Sequence, residues 1–189
     1  MYETQLEDDR MAGVEYSMLD VKNPEDVAAY ERALYRAFSA AGSIVLDRIW
    51  EFDRKNRRAK TRVAYEGQEI YAARAGDAII AAAAMNYDMT RPLQLEMIGF
   101  TVDKSETGVC EGLALFSLDT FAGHAAVSLR LKDYTFSMVR RRHIRTMYAT
   151  CSQRRLGGYR RLGWREIDER SFERGKVFLL YMNTAEINS

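Results

Sequence analysis

The chain is poor in the residues that build covalent or metal-stapled folds. Two cysteines, Cys110 and Cys151, in 189 residues give neither a disulfide framework nor a metal-ligand spacing. The expectation is a pair of reduced, structural thiols in a cytoplasmic protein. Two histidines, His124 and His143, stand apart from each other and from any Cys or Asp cluster, so no metal site is expected. Prolines are limited to Pro24 and Pro92, and no Gly/Ser/Pro-rich linker divides the sequence. That predicts one domain over residues 12–189 behind a loose acidic arm at 1–11. No run approaches the roughly 18 apolar residues that span a bilayer. Residues 1–10 lack the basic and apolar regions of a signal peptide.

What is present is ordinary in amount and uneven in arrangement. The chain is 47% hydrophobic and 29% charged, with a formal net charge of +1. Residues 140–165 nevertheless carry nine arginines (140, 141, 142, 145, 154, 155, 160, 161 and 165) with no acid and no lysine. Such a run is either a solvated face balanced by acids elsewhere or a site for an anion, and arginine's planar fork suits phosphate. The anionic partners it suits are a phosphorylated cofactor, an acidic carrier protein or nucleic acid.

Periodicity divides the chain into alternating elements. Residues 14–21 (VEYSMLDV) read as a strand. Asn23-Pro24-Glu25-Asp26 supplies a helix cap, a first-turn proline and first-turn acids, followed by an apolar stripe at Val27, Tyr30, Leu34 and Phe38. A second helix is expected over 44–57. Residues 69–74 and 78–85 predict two strands joined by a tight turn at Gly76-Asp77. The run AIIAAAAM is also compatible with helix, but its length and preceding turn favour strand. LQLEMIGF (93–100) and VCEGLALFS (109–117) predict further strands, 123–142 a long helix, 144–150 a strand and 153–162 a short helix. Segments 166–169 and 176–182 complete the order as two strands. The fold class expected is α+β: a mixed, mostly antiparallel sheet flanked by helices.

The segment 144–164, IRTMYATCSQRRLGGYRRLGW, is the most telling. A strand runs into a polar break at Cys151-Ser152, then an arginine-rich turn that closes on Tyr159-x-x-x-Gly163-Trp164. This resembles the C-terminal half of the GNAT superfamily of acyltransferases, and the order of elements from 14 to 182 resembles that fold. The resemblance implies transfer of an acyl group from a phosphopantetheine thioester, acyl-coenzyme A or acyl-carrier protein, to an amine, an amino acid among the compatible acceptors. It implies that Tyr159 meets the thioester sulfur and protonates the leaving thiolate, a role a phenol of pKa near 10 can fill. Glu111, an ionisable residue in an otherwise apolar strand, is the candidate base, acting through water, or else a salt-bridged glutamate. Glu96 is held in reserve.

The same resemblance implies a donor site. Backbone amides around Leu115, Phe116 and Ser117 would meet the thioester. Thr120-Phe121-Ala122-Gly123-His124-Ala125 occupies the place of the pyrophosphate loop, with Gly123 and Ala125 fitting and Thr120 standing where a basic or amide side chain is usual. A plain loop-to-helix turn with Gly123 as cap explains the same residues. Ser152, Arg154 and Arg155 would meet the pantetheine arm, or Ser152 would simply cap the short helix. The missing basic residue and the arginine run together favour a donor carried on acyl-carrier protein, as in the acyl-homoserine-lactone and N-acyl amino acid synthase branch. Met85, Tyr87, Met89, Met97, Phe100, Phe116 and Phe121 would line an acyl pocket or be plain core. Two other readings stay open: a GNAT-fold module that binds a thioester or partner without turnover, and a nucleic-acid-binding domain using the 140–165 run.

Overall fold

The computed structural model describes residues 13–41, 43–121 and 123–186, with the side chain of residue 44 excepted. The expected acidic arm at 1–11 lies outside the described residues. Seven strands form one sheet: β1 (Val14–Met18), β4 (Gln68–Ala75), β5 (Ala78–Asn86), β6 (Val109–Ser117), β7 (Thr146–Ser152), β9 (Gly175–Asn183) and β8 (Arg165–Phe172), in that spatial order. All neighbours are antiparallel except β6 and β7. Strands β2 (Trp50–Asp53) and β3 (Arg58–Thr61) form a separate hairpin. The architecture is the mixed, mostly antiparallel sheet flanked by helices that the sequence predicts.

Each face of the sheet has its own core. Helix α1 (Pro24–Phe38) buries Tyr30, Ala33 and Leu34 on the first face, with α2 (Ile44–Ile49) and α3 (Gln94–Met97) beside it. Helix α4 (His124–Arg141) buries Val127, Leu131, Phe136 and Val139 on the second, where α5 (Gln153–Arg161) adds Leu156. Strands covered on both sides lose the usual polar alternation. That is why AIIAAAAM is a strand despite the helix preference of alanine: Ala82 and Ala84 face the first core, Ala81 and Ala83 the second. Helix α1 starts as expected, with the Asn23 side chain accepting from the Glu25 N–H at 2.9 Å.

Two segments depart from expectation. The helix expected over 44–57 stops at Ile49, because Trp50-Glu51-Phe52-Asp53 also alternates with period two, and the strand pattern prevails. The turn that follows is fixed by Asp53, whose carboxylate accepts from Asn56 N (3.0 Å) and Nδ2 (2.6 Å), while Arg57 takes a left-handed φ of 52°. LQLEMIGF is not a strand. Residues 94–97 form α3, closed by Gly99 at φ 91° with its N–H donating to Glu96 O at 3.0 Å. The start of this helix is held by carboxylates: Glu96 accepts from Leu93 N (2.8 Å), and Glu111 accepts from Gln94 N and Leu95 N.

Candidate active site

The site begins where β6 and β7 part. They pair in parallel only from Val109–Thr146 to Gly112–Ala149. Beyond Gly112, β6 turns toward β5 through a bulge that places one extra residue, Leu113, between the Met85–Gly112 and Ala84–Ala114 pairs. Strand β7 meanwhile stays with β9 out to Ser152–Val177. The sheet therefore opens between Leu113–Ser117 of β6 and Thr150–Ser152 of β7, leaving one edge of β6 without a strand partner. Inside the opening the Leu113 carbonyl accepts from Gln94 Nε2 at 2.8 Å, and Gln94 Oε1 accepts from the Trp50 indole at 2.8 Å.

Glu111 sits at the base of this opening, 1% exposed, on the first face. Its carboxylate accepts from Leu95 N at 2.7 Å and Gln94 N at 3.1 Å. Burial raises its pKa to about 7; the Leu95 and Gln94 amides and the facing Asn86 side chain pull it down, and the Glu96 carboxylate pushes it up. Asn86 stands directly across the β5–β6 pair, itself buried. The result is a carboxylate that exchanges a proton near neutrality, placed by hydrogen bonds rather than by a salt bridge. The salt-bridged alternative is not what the structure shows. Glu96 lies instead on α3, ion-paired with Lys104 at 2.9 Å.

Tyr159 approaches from the second face. It lies near the C-terminal end of α5, half-buried, edge-on to Trp164 with ring centroids 5.8 Å apart. Its carbonyl accepts from Leu162 N and Trp164 N, so the Gly163 turn (φ 89°) folds Trp164 back against the ring. Burial pushes its pKa up to about 12, the Cys151 side chain adds to the rise, and Arg155 opposes it. Cys151 is itself buried, with its thiol pushed up to about 11. Glu111 thus lies on the first face of the sheet, and Tyr159, on the helix packed on β7 and β9, belongs to the second.

The other predicted residues scatter around it. Leu115 and Ser117 are half-buried on the unpartnered stretch of β6, and Phe116 is buried against Tyr30 and Phe38. Gly123, at φ 90°, precedes the 18-residue α4, whose first turn holds no acid; His124 and Ala125 are exposed there. Ser152 stands at the cap position of α5, but its side chain makes no capping hydrogen bond, so the capping role expected of its hydroxyl is not the observed one. Arg154 and Arg155 are exposed, and the Arg155 guanidinium lies 5.8 Å from the Phe38 ring centroid, reaching from α5 toward the end of α1.

Of the two readings of the aromatic and methionine set, plain core is the observed one: Met85, Tyr87 and Phe121 belong to the second core, and Met89, Met97, Phe100 and Phe116 to the first. The arginine run is not one open face. Arg142 pairs with Glu69 and lies over Tyr87, Arg160 pairs with Glu166, Arg165 with Glu186, and Arg145 donates to Thr107. Sequence reasoning missed Gln94, whose backbone N–H meets the Glu111 carboxylate from 17 positions away, and Asn86, which stands across the β5–β6 pair from Glu111, because nothing local marks either residue.

No protein-family model matches the sequence, and no curated protein sequence matches it. Solved structures do. The CoA-dependent acyl-homoserine lactone synthase MesI superposes with a TM-score of 0.72 at 14% identity, over 92% of this chain and 90% of that one. FeeM, an N-acyl amino acid synthase from uncultured soil microbes, matches at TM-score 0.60 and 13% identity, over 92% of each chain. A GNAT-family protein from Desulfovibrio desulfuricans matches at TM-score 0.58 and 15% identity, over 90% of this chain and 99% of that one. The shared property is the fold: this chain has the GNAT acyltransferase fold. Among the described residues no helix is long and apolar enough to cross a membrane, and no group of three His, Cys, Asp or Glu side chains is placed to hold a metal ion.

Proposed function

We propose that this protein is an N-acyltransferase that moves an acyl group from a phosphopantetheine thioester to an amine. The observation that carries this reading is the opening between β6 and β7, with a buried carboxyl raised to about 7 on β6 and a phenol that stays protonated on the helix that follows β7. The amine nitrogen attacks the thioester carbonyl and a C–N bond forms. Glu111 takes the amine proton through water, the C–S bond breaks, and Tyr159 gives its proton to the departing sulfur. A backbone N–H on the unpartnered edge of β6, around Leu115–Ser117, supports the oxyanion. Solvent then returns a proton to Tyr159 and removes one from Glu111.

Gly123, His124 and Ala125 at the start of α4, with Ser152, Arg154 and Arg155 on α5, would hold the phosphorylated arm of the donor. The donor to test first is acyl-coenzyme A, because MesI is CoA-dependent and three arginines of the run are engaged by glutamates. Acyl-carrier protein remains the second donor, met by the exposed Arg154 and Arg155. Thiol release is followed with acetyl-coenzyme A, long-chain acyl-coenzyme A and acyl-carrier protein against a pool of amines. Amine-dependent release from one of them supports transfer and identifies the donor. Donor binding with no release from any of them overturns it in favour of a binding module.

A further inference from the structure

A row of polar residues crosses the first face of the sheet at the level of Glu111. Gln68 of β4 stands directly opposite Asn86 of β5, and Asn86 directly opposite Glu111 of β6. Ile70 and Ala84, two positions along from Gln68 and Asn86, belong to the first core, so the row lies in that layer. Each of the three residues is 4% exposed or less.

The orientation of both amides is fixed by their outer partners. Gln68 Nε2 donates to the Thr61 hydroxyl at 3.0 Å and to the Val63 carbonyl at 2.8 Å, and a carbonyl only accepts, so the nitrogen is the atom on that side. Asn86 Oδ1 accepts from Asp88 N at 3.0 Å, which turns its NH2 group the other way. Gly67 packs over this amide so closely that a Cβ there would lie 3.1 Å from Asn86 Oδ1. What is left over is an acceptor, Gln68 Oε1, and a donor, Asn86 Nδ2, both buried without a partner. Among the described residues five buried side-chain atoms are in this condition, and these two alone lie on directly opposed strand residues. Unpartnered buried polar atoms are costly, and a donor beside an acceptor is what a single water satisfies. Asn86 Nδ2 makes no direct hydrogen bond to Glu111, yet its side chain is close enough to lower the Glu111 pKa.

We infer that Asn86 and Gln68 are positioning residues that hold one buried water against the Glu111 carboxylate, and that this water keeps Glu111 usable as a base. The water accepts from Asn86 Nδ2 and donates to Gln68 Oε1 and to a Glu111 oxygen, three bonds in all. The Glu111 oxygens already accept from Leu95 N and Gln94 N, and each has capacity for one bond more. A donor to the charged form opposes the effect of burial. The other titratable groups around Glu111 do not supply such a donor. Glu96 of α3 is an acid held by Lys104, Cys110 belongs to the second core, and Tyr148, opposite on β7, is coupled to Tyr181, Asp103 and Glu106 instead. The kinetic consequence, though not the water site itself, rests on the acyl-transfer reading above.

The test uses the intact chain without substrate. A crystal structure shows a water about 2.7–3.2 Å from Asn86 Nδ2, Gln68 Oε1 and one Glu111 oxygen. The Glu111 carboxyl carbon is then titrated by NMR in protein carrying ¹³C-labelled glutamate, its signal assigned by its loss in Glu111→Gln. Asn86→Leu moves the midpoint up by about one unit, a tenfold change in acidity. Gln68→Met, two strands from Glu111, moves it up by about half a unit, because it acts only through the water. Thr61→Val removes a partner of Gln68 but spares the water, and leaves the midpoint within about 0.2 unit. No water at this place, or a midpoint that Gln68→Met leaves where it was, overturns the inference. In thiol release, the rising limb of kcat/KM moves up with the midpoint in both amide variants. A limb that stays while the midpoint moves keeps the water and overturns Glu111 as the base. A shifted midpoint in a protein that turns over no donor keeps the water and overturns acyl transfer.

Discussion

On the first face of the sheet, the titratable group at the opening is a carboxyl; on the second it is a phenol. Burial acts on both in the same direction, raising Glu111 to about 7 and Tyr159 to about 12. The consequences are opposite. A carboxyl moved upward enters the range where it gains and loses protons at neutral pH, and a phenol moved upward is held still further above that range and stays protonated. The means of placement differ too: Glu111 is oriented by the Gln94 and Leu95 amides, whereas Tyr159 is oriented by packing against Trp164. One desolvating fold thus holds a carboxyl near neutrality on one face of a sheet and a protonated phenol on the other.

The sharpest way to break that division is Glu111→Gln. If the carboxylate is the base, kcat/KM falls by about 10²–10⁴-fold. The wild-type profile, rising with pH through about 7, loses that limb. The same variant has a stability signature independent of turnover. Because the folded pKa lies above the ordinary 4.5, Glu111 favours the folded state below that value, and the contribution is lost as pH rises through about 7. The unfolding temperature of the wild type relative to the Gln variant therefore falls as pH rises from 4.5 to about 7. Tyr159→Phe has the smaller effect, about tenfold on kcat, since a thiolate leaves readily even without a proton. Donor affinity stays within about twofold, because packing on Trp164 survives. A Phe variant that also erased the limb near 7 would merge the two faces into one coupled group.

The unequal legibility of the two faces has the same physical root. Tyr159 belongs to a contiguous signal of strand, polar break, short helix and Gly163-Trp164, and the structure has those elements in that order, with Tyr159 on the helix and its ring edge-on to Trp164. Glu111 was visible only as an ionisable residue in an apolar strand. Its orienting amides come from α3, a segment whose sequence reads as a strand and becomes helical because Glu111 and Glu96 accept its first N–H groups. The hairpin β2–β3 was hidden by two overlapping periodicities. The arginine run left two readings open because the acids that balance part of it, Glu69 and Glu186 among them, are distant in sequence.

Gln94 tests how far the first face depends on that tertiary support. It is 2% exposed and joins the Trp50 indole to the Leu113 carbonyl at the bulge. Gln94→Leu fills the same space but leaves one buried donor and one buried acceptor without partners, a cost of about 2–4 kcal/mol by urea unfolding. A loss under about 1 kcal/mol would mean that water replaces the amide and that the opening is wetter than its walls suggest.

The smallest effect belongs to Arg160, on the second face. Its ion pair with Glu166 is on the surface, the arginine side chain being 60% exposed, and a solvated pair of this kind contributes little to stability. Arg160→Gln therefore leaves unfolding nearly unchanged. Its value lies in kinetics. Arg160 is one of two arginines close enough to Cys151 to pull the thiol pKa down, and Arg155, the other, also acts on Tyr159. If the phenol is placed by packing alone, Arg160→Gln leaves kcat and the donor KM unchanged, and Arg155→Gln raises the donor KM. A loss of kcat in Arg160→Gln would instead make the charge of α5 part of the acid, and the second face would then be organised by electrostatics as the first one is.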